Sequence, residues 1–159
     1  MNLKNLTLLT LTGSSLLQTG AQLFAVSIVA STVSEAPPRS FAMLQGEYGY
    51  NSSTFWDIVP PITFLLFIIA LITNWKTQRR KLIFFALSLF IIGGMIAGFF
   101  LEPFFADMLK KGYSDQVDVT LQAQAQKWYF FDWMVWTLSL VSGLLLLVAL
   151  TRPLQSKKL

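Results

Sequence analysis

The chain has 159 residues, of which 54% are hydrophobic and only 13% are charged, and this balance excludes an ordinary soluble domain. It contains neither cysteine nor histidine, which excludes disulfides, thiolate nucleophiles, zinc–thiolate sites and haem ligation by histidine. A net charge of +4 would suggest a nucleic-acid partner for a soluble protein, but here the basic residues flank apolar runs. We therefore predict a membrane protein that binds no nucleic acid.

Four apolar segments are long enough to cross a bilayer, which takes roughly 20 residues of helix. They cover residues 6–33, 55–74, 82–101 and 128–150 of a single domain that spans residues 1–159. The sequence thus predicts an all-α fold, an integral membrane up-down-up-down four-helix bundle. The two longer connections are expected on the extracytoplasmic side.

The first segment carries a polar stripe. Ser15, Gln18 and Gln22 are spaced so that they share one face of a helix. Because an amide in hydrocarbon needs a hydrogen-bond partner, these glutamines either bond to a neighbouring helix or contact a ligand. Only Lys4 precedes the apolar run, so we expect a retained helix rather than a signal peptide.

Polar residues and prolines suggest how the second segment begins. Ser53 or Thr54 is the expected N-cap, and Asp57 follows in the first turns, where a negative charge suits the helix dipole. Pro60 and Pro61 remove backbone donors and should bend or loosen the helix. A short helix over residues 40–45 is expected in the connection before it.

The third segment contains small residues at helical spacing. Gly94 and Gly98, and likewise Gly93 and Ala97, would let another helix approach closely, so a homo-oligomer or a partner membrane subunit could pack there. Pro103 follows and is expected to mark the helix end or a kink. Glu102 stands one turn after Gly98.

The fourth segment begins with an acid among tryptophans. Trp128, Asp132 and Trp136 are spaced to share one broad helix face. A charge within a spanning segment usually faces the protein interior or water. Asp132 therefore belongs either to an aromatic belt at the membrane surface, where it reaches water, or to the wall of a pocket. Ser114 is the expected N-cap of a helical extension that begins outside the membrane.

The charges divide between the two ends of the predicted bundle. With both termini in the cytoplasm, eight of the 12 basic residues lie on that side, as the positive-inside bias requires. These are Lys4, Lys76, Arg79, Arg80, Lys81, Arg152, Lys157 and Lys158. All eight acids fall on the other side. A bacterial inner membrane is the expected location.

The outer ends of the four helices concentrate aromatic and polar side chains, which predicts a small-molecule site at that mouth of the bundle. Hydrophobic aromatic molecules and membrane lipids are the expected partners. The ligand-binding residues predicted there are Gln18, Gln22, Trp56, Asp57, Trp128, Trp133 and Trp136, beside the carboxylates of Glu102 and Asp132.

Several landmarks along the chain form a recognisable pattern. They are a first helix over residues 13–34 that leads into a polar connection, Phe55 and Trp56 followed by Pro60 and Pro61, Pro103 at the outer end of the third helix, and Trp128 at the start of the fourth. In this outline the chain resembles the anthrone oxygenase-like family of small four-helix membrane proteins. The asparagines and the arginine of the family pattern are not present in the corresponding stretches.

The resemblance implies oxygenation or oxidation of a flat, easily deprotonated substrate without a metal or other cofactor. Asp132 or Glu102 would be the catalytic base, a glutamine of the first helix would donate a hydrogen bond to the substrate oxygen, and tryptophans would form the walls. Three alternatives remain open: an accessory or scaffold subunit of a membrane complex, a transporter, and a carboxylate-only metal site. We predict no metal and no cofactor.

Overall fold

The structure, a computed structural model, describes residues 2–154, and over that range it is helical and contains no β-strand. Four helices are long and apolar enough to cross a membrane: α1 (Leu3–Glu35), α2 (Ser53–Thr73), α3 (Arg80–Leu109) and α4 (Val119–Thr151). The predicted all-α class and the four apolar helices are confirmed. Lys157 and Lys158, expected on the cytoplasmic side, lie outside the described residues.

Three of the helices extend well beyond the predicted apolar spans. α1 begins at Leu3, α3 continues to Leu109, and α4 begins at Val119, which confirms the predicted helical extension ahead of Trp128. The predicted bounds followed the apolar composition, which indicates the length that suits hydrocarbon, whereas helical hydrogen bonding continues into polar sequence. A 3₁₀ helix over Arg39–Leu44 confirms the short helix expected in the first long connection.

Pro103 does not end the third helix. A π turn over Ala97–Leu101 precedes it, and α-helical bonding resumes at Glu102 with the proline in the first turn. Proline has no N–H and clashes with the carbonyl four residues earlier in a regular α-helix. The extra residue of a π turn changes that register locally, which gives the proline a position inside a continuing helix. A second π turn covers Ala25–Ala30 in α1.

The N-cap of α4 is Asp118, so the prediction of Ser114 was wrong. Oδ1 of Asp118 accepts hydrogen bonds from the N–H groups of Leu121 at 3.1 Å and Thr120 at 2.8 Å. The Leu121 bond above all holds the pKa of the Asp118 carboxyl below its usual value, and the nearby charge of Lys111 acts in the same direction. Ser114 caps a turn in the connection instead, where its hydroxyl accepts from the N–H of Gln116.

The start of α2 also differs from the prediction. The first residue of the helix is Ser53, so neither Ser53 nor Thr54 is the N-cap. The N–H of Ser53 donates to Oδ1 of Asn51 at 2.9 Å. Pro60 and Pro61 lie inside the helix without ending it. Proline removes a donor and clashes with the carbonyl four residues earlier, but a membrane helix tolerates it where neighbouring groups satisfy the carbonyls that are freed.

The helices pack in a ring in which each contacts its neighbours in the chain and α4 also contacts α1. The contact between α3 and α4 is the most extensive, and the contact between α2 and α3 is the smallest. One core cluster, which we call the inner core, joins all four helices and includes Leu11, Phe67, Ile83 and Leu146, each fully buried.

Polar groups hold the helices together beside the inner core. The side-chain amide of Asn74 donates to the carbonyl of Lys4 at 3.3 Å, and Arg79 donates to the carbonyls of Leu150 and Arg152. The start of α1, the end of α2, the start of α3 and the end of α4 therefore meet. We call this the Arg79 end of the protein.

A second cluster, the outer core, lies at the other end and consists of Val33, Phe41, Met108, Leu121 and Ala125. Here the amides of two glutamines on α4 donate to the last carbonyls of α1: Gln122 to Glu35, and Gln126 to Ser34 at 3.0 Å. These carbonyls have no donor within their own helix, so α4 caps α1.

Candidate functional site

A cavity of about 910 Å³ lies between the inner and outer cores. All four helices line it, together with residues of the connection between α1 and α2. It borders the inner core at Phe90 and the outer core at Val33 and Trp128. A volume of this size suits a drug-sized or lipid-like molecule.

The cavity brings together most of the residues that the sequence predicted for the site. Those that line it are Gln18, Gln22, Trp56, Asp57, Glu102, Trp128 and Asp132. Trp133 and Trp136 do not line it. They pack against each other edge to face, with ring centroids 5.2 Å apart.

The pitch of α4 explains why Trp136 is outside the cavity wall. The residues of this helix that line the cavity are Trp128, Asp132, Val135 and Ser139. At about 100° per residue, Val135 is only about 20° around the helix from Trp128, whereas Trp136 is about 80° around it. The spacing of Trp128 and Asp132 therefore selects a face that continues through Val135.

Gln18 and Gln22 are buried in the cavity wall, with 8% of each residue exposed. Within the described residues, Oε1 of Gln18 is inaccessible to solvent and accepts no hydrogen bond. One turn before Gln18, hydroxyls join α1 to α2, since Oγ of Ser14 lies 2.8 Å from Oγ1 of Thr63. Of the two alternatives for the glutamine stripe, contact with a ligand is therefore favoured over an interhelical bond.

Acidic side chains surround the part of the cavity that is farther from the Arg79 end. Asp132 is half-buried in the wall formed by α4, while Glu47, Asp57 and Glu102 are exposed to the cavity and its mouth. In the described part of the chain, none of these four carboxylates forms an ion pair, because the salt bridges there join Lys110 to Asp107 and Lys111 to Asp118.

Gly94 and Gly98 form part of the wall on α3. A Cβ atom at either position would meet no other atom within 4 Å, so neither glycine serves close helix packing inside this chain. The glycines that do are Gly93, which faces Val135 at 3.7 Å, and Gly143, which faces Leu16 at 3.0 Å. Within this chain, the absence of side chains at Gly94 and Gly98 leaves space in the cavity, while packing of a second copy or a partner subunit against them stays a prediction.

Several parts of the cavity wall were not predicted from the sequence. The connection between α1 and α2 contributes Glu47, Gly49, Tyr50 and Asn51, and the two π turns contribute Ala25 and Gly98 among others. Gly49 has no room for a side chain, because its Cβ would lie 2.7 Å from the backbone of Leu44 and Gln45. In this connection, Gly46 and Gly49 on either side of Glu47 were the signal that could have indicated them.

The arrangement is suited to binding an elongated molecule with an apolar part and a polar part. Trp128 stacks on Phe105 with centroids 4.9 Å apart, which gives the wall a flat aromatic surface. Asp132 supplies a carboxylate that can accept a hydrogen bond or a proton. Over the described chain, no three Asp or Glu residues are placed so that they could hold a metal ion.

Comparison of this chain with models of known families, with curated proteins and with solved structures gave no match in any of the three.

Proposed function

We propose that this chain is an integral membrane protein with up-down-up-down topology, both termini in the cytoplasm and its two longer connections outside, in a bacterial inner membrane. The Arg79 end would then be cytoplasmic. In support, the basic residues at the Arg79 end of the protein include Lys4, Lys76, Arg80 and Lys81, as the positive-inside bias requires.

In the proposed orientation, the depth of the cavity in the membrane can be estimated from the rise of the helices. At 1.5 Å per residue, Gln18 lies about 21 Å along α1 from Lys4, and Asp132 lies about 27 Å along α4 from Leu150. Since hydrocarbon is about 30 Å thick, Gln18 would be inside the bilayer and Asp132 near its outer boundary. The cavity would reach from the apolar region to the outer surface.

Within this frame, we propose that the protein binds a hydrophobic small molecule or a lipid in the cavity. The observation that carries the proposal is the side-chain oxygen of Gln18, which is buried in the cavity wall without a partner. A buried polar atom without a hydrogen bond costs about 1–3 kcal/mol, so a ligand that donates to it would remove this penalty.

The resemblance to the anthrone oxygenase-like family extends this proposal to catalysis. Asp132 would accept the proton of a flat, acidic substrate, Gln18 would hydrogen-bond its oxygen, and Trp56 and Trp128 would enclose its ring. Glu102, which is exposed, would act at the mouth. Oxygen uptake by the purified protein supplied with an anthrone, lost in Asp132→Asn, would support this extension.

Native mass spectrometry of gently extracted protein tests the binding proposal. The variant is Gly94→Leu, which should fill the cavity without displacing the backbone because a Cβ there has free space. The matched control is Gly20→Leu, since Gly20 is also in a helix with free space around its Cβ but does not line the cavity. We expect a bound organic mass in wild type and Gly20→Leu that is absent from Gly94→Leu.

Two results would contradict the binding proposal. One is the same bound mass in all three proteins, which would place the ligand elsewhere. The other is a stable second protein with no small molecule, which would favour the accessory-subunit alternative. Thermal unfolding of each variant in detergent establishes that the proteins compared are folded.

Single-cysteine labelling tests the topology, because the chain has no cysteine of its own. Ser114→Cys and Gln78→Cys introduce exposed thiols at opposite ends of the protein. A membrane-impermeant maleimide should label only Ser114→Cys in spheroplasts, and both after lysis. Labelling of Gln78→Cys in intact spheroplasts would reverse the proposed orientation.

A further inference from the structure

The charges that line the cavity are all of one sign. They belong to Glu47, Asp57, Glu102 and Asp132, and among the described residues no lysine or arginine lines the cavity. Four basic residues occur toward the same end of the protein, but they are elsewhere on its surface: Arg39, Lys110, Lys111 and Lys127. A cleft with apolar walls strengthens the field of the charges that line it. The cavity therefore attracts cations and repels anions.

The uncharged polar groups of the cavity include further hydrogen-bond acceptors. Oε1 of Gln18 is an acceptor without a donor. Pro60 and Pro61 have no N–H, so the carbonyls of Trp56 and Asp57 lack their usual helical donor four residues ahead. These two residues line the cavity. A ligand that supplies donors would fit these acceptors, whereas Nε1 of Trp128, a donor buried in the same wall without a partner in the described chain, would need an acceptor.

Aromatic rings complete the surroundings of the acids. Tyr50, Trp56, Phe105 and Trp128 line the cavity beside the carboxylates. The face of an aromatic ring attracts an organic cation, most strongly when the cation is shielded from water. Below the acids, Phe90, Gly94 and Val135 form an uncharged, mostly apolar floor, at a depth where Gln18 and Ser139 are the polar residues that line the cavity.

The acids are spread over three helices and one connection rather than gathered around a point. Asp57 lies about 25 Å along α2 from Asn74, at nearly the same depth as Asp132 on α4, while Phe90 lies about 16 Å along α3 from Arg79. The charged region is thus above the apolar floor. This order matches a molecule with a cationic head and an apolar body.

From these observations we propose that the ligand is a lipophilic organic cation, with a protonated amine or quaternary ammonium group beside Asp57 and Asp132 and its apolar part against the Phe90 floor. The inference rests on the proposed binding function and narrows it to one chemical class. A phosphate group on the ligand is disfavoured, because no basic residue in the described part of the cavity wall would compensate its charge.

Two probes of nearly equal shape and opposite charge test which sign of charge the cavity selects in its ligand. Tetraphenylphosphonium and tetraphenylborate each carry four phenyl groups on a central atom. Saturable binding is measured by equilibrium dialysis with the full chain in a non-ionic detergent, and the signal of protein-free micelles is subtracted. We expect saturable binding of the phosphonium only, weakened about tenfold in Asp132→Asn because one carboxylate close to the cation is lost.

Asp107→Asn is the matched control. It removes one negative charge at the same end of the protein, from an exposed carboxylate that is paired with Lys110 and does not line the cavity. We expect its affinity for the phosphonium to stay within about twofold of wild type, since an exposed charge is screened by salt. Dodecyltrimethylammonium should displace the phosphonium, and dodecylphosphocholine, with the same chain and a phosphate, should not.

The outcomes separate this inference from the binding proposal on which it rests. If pyrene, a neutral aromatic probe, binds wild type but not Gly94→Leu while the phosphonium does not bind, the cavity binds hydrophobic molecules and the inference is wrong. Equal binding of phosphonium and borate, or an unchanged affinity in Asp132→Asn, also overturns it. If neither pyrene nor the phosphonium shows binding that depends on Gly94, both proposals fail.

Discussion

Nη1 of Arg79 donates a hydrogen bond of 2.7 Å to Oδ1 of Asn5, and so joins the start of α3 to the start of α1. The same guanidinium donates from Nε to the carbonyl of Arg152 at 2.8 Å and from Nη2 to that of Leu150 at 3.2 Å. Arg79 is only 5% exposed, and its burial lowers the pKa of the guanidinium. Its charge lies at the C-terminal end of α4, where a cation suits the helix dipole.

We predict that Arg79→Met lowers the free energy of unfolding by about 3 kcal/mol, because it removes three hydrogen bonds and leaves the carbonyls of Leu150 and Arg152 without this donor. Thermal unfolding in detergent measures the effect. Arg80→Met is the control: Arg80 is exposed and contacts Trp75 through a cation–π interaction at 4.9 Å, so its loss should matter little. Equal melting temperatures for the two variants would contradict the prediction.

The capping carboxylate of Asp118 makes the start of α4 sensitive to pH. Because folding lowers its pKa, its contribution to stability is fully present above the ordinary range of an aspartate and is lost as the pH falls through the lowered value. We predict that Asp118→Ala lowers the protection of the Thr120 and Leu121 amides from hydrogen exchange by roughly fivefold near neutral pH. It should also remove the loss of protection that wild type shows in acid.

Asp115→Ala is the control for this cap, since Asp115 accepts a hydrogen bond from the hydroxyl of Tyr113 and caps no helix. Its exchange at Thr120 and Leu121 should equal that of wild type at every pH. An identical acid response in wild type and Asp118→Ala would assign the pH dependence to another group.

The glutamines that bond α4 to the end of α1 should stabilise the outer core. We predict that Gln126→Ala destabilises the protein by about 1 kcal/mol, because the carbonyl of Ser34 loses its donor, and that proteolysis near Glu35 becomes faster. Gln124→Ala is the control, since Gln124 is exposed on the same helix. Faster cleavage in both variants would indicate a general loss of helix rather than loss of the bond.

The same substitution should destabilise the protein at one helical glycine and have no effect at another. At Gly143 a Cβ would meet Leu16 of α1 at 3.0 Å, so we predict that Gly143→Leu separates α1 from α4 and destabilises the protein by about 2 kcal/mol. Gly13→Leu should be neutral, because a Cβ there meets nothing within 4 Å. Thermal unfolding compares them, and a Gly143→Leu protein as stable as wild type would rule out close packing at this position.

The apolar runs predicted the four helices because spanning a bilayer requires a long continuous stretch of such residues. Their ends could not be predicted in the same way, since polar sequence continues the helices: helical spacing predicted the extension of α4 ahead of Trp128, whereas nothing in the sequence predicted that α3 continues to Leu109. Asp118 and Ser114 are both acceptable caps by residue type, and only the packing of α4 on α1 selects the aspartate.

The candidate site was predictable where it depended on residues at helical spacing near one end of the bundle. Gln18, Asp57 and Asp132 were found in this way because each is polar within an apolar segment. The roles of Gly94 and Gly98 were not predictable, since small residues serve equally for close packing and for empty space, and the distinction depends on which helix lies opposite. Trp136 was misplaced because a broad face was assumed where the cavity follows a narrow one.

The π turn over Ala97–Leu101 has a consequence for how this chain tolerates insertions and deletions. A π turn holds one residue more than the α-helical turn that it replaces, so removing that residue would restore an ordinary α-helical turn and leave everything beyond it in nearly the same orientation. Glu102 and Phe105 would keep their places in the cavity wall, as would Phe90 and Gly94. The same deletion in a regular α-helical part of α3 would instead rotate everything beyond it by about 100°. A homologous chain one residue shorter at the π turn would thus present the same side chains to whatever occupies the cavity.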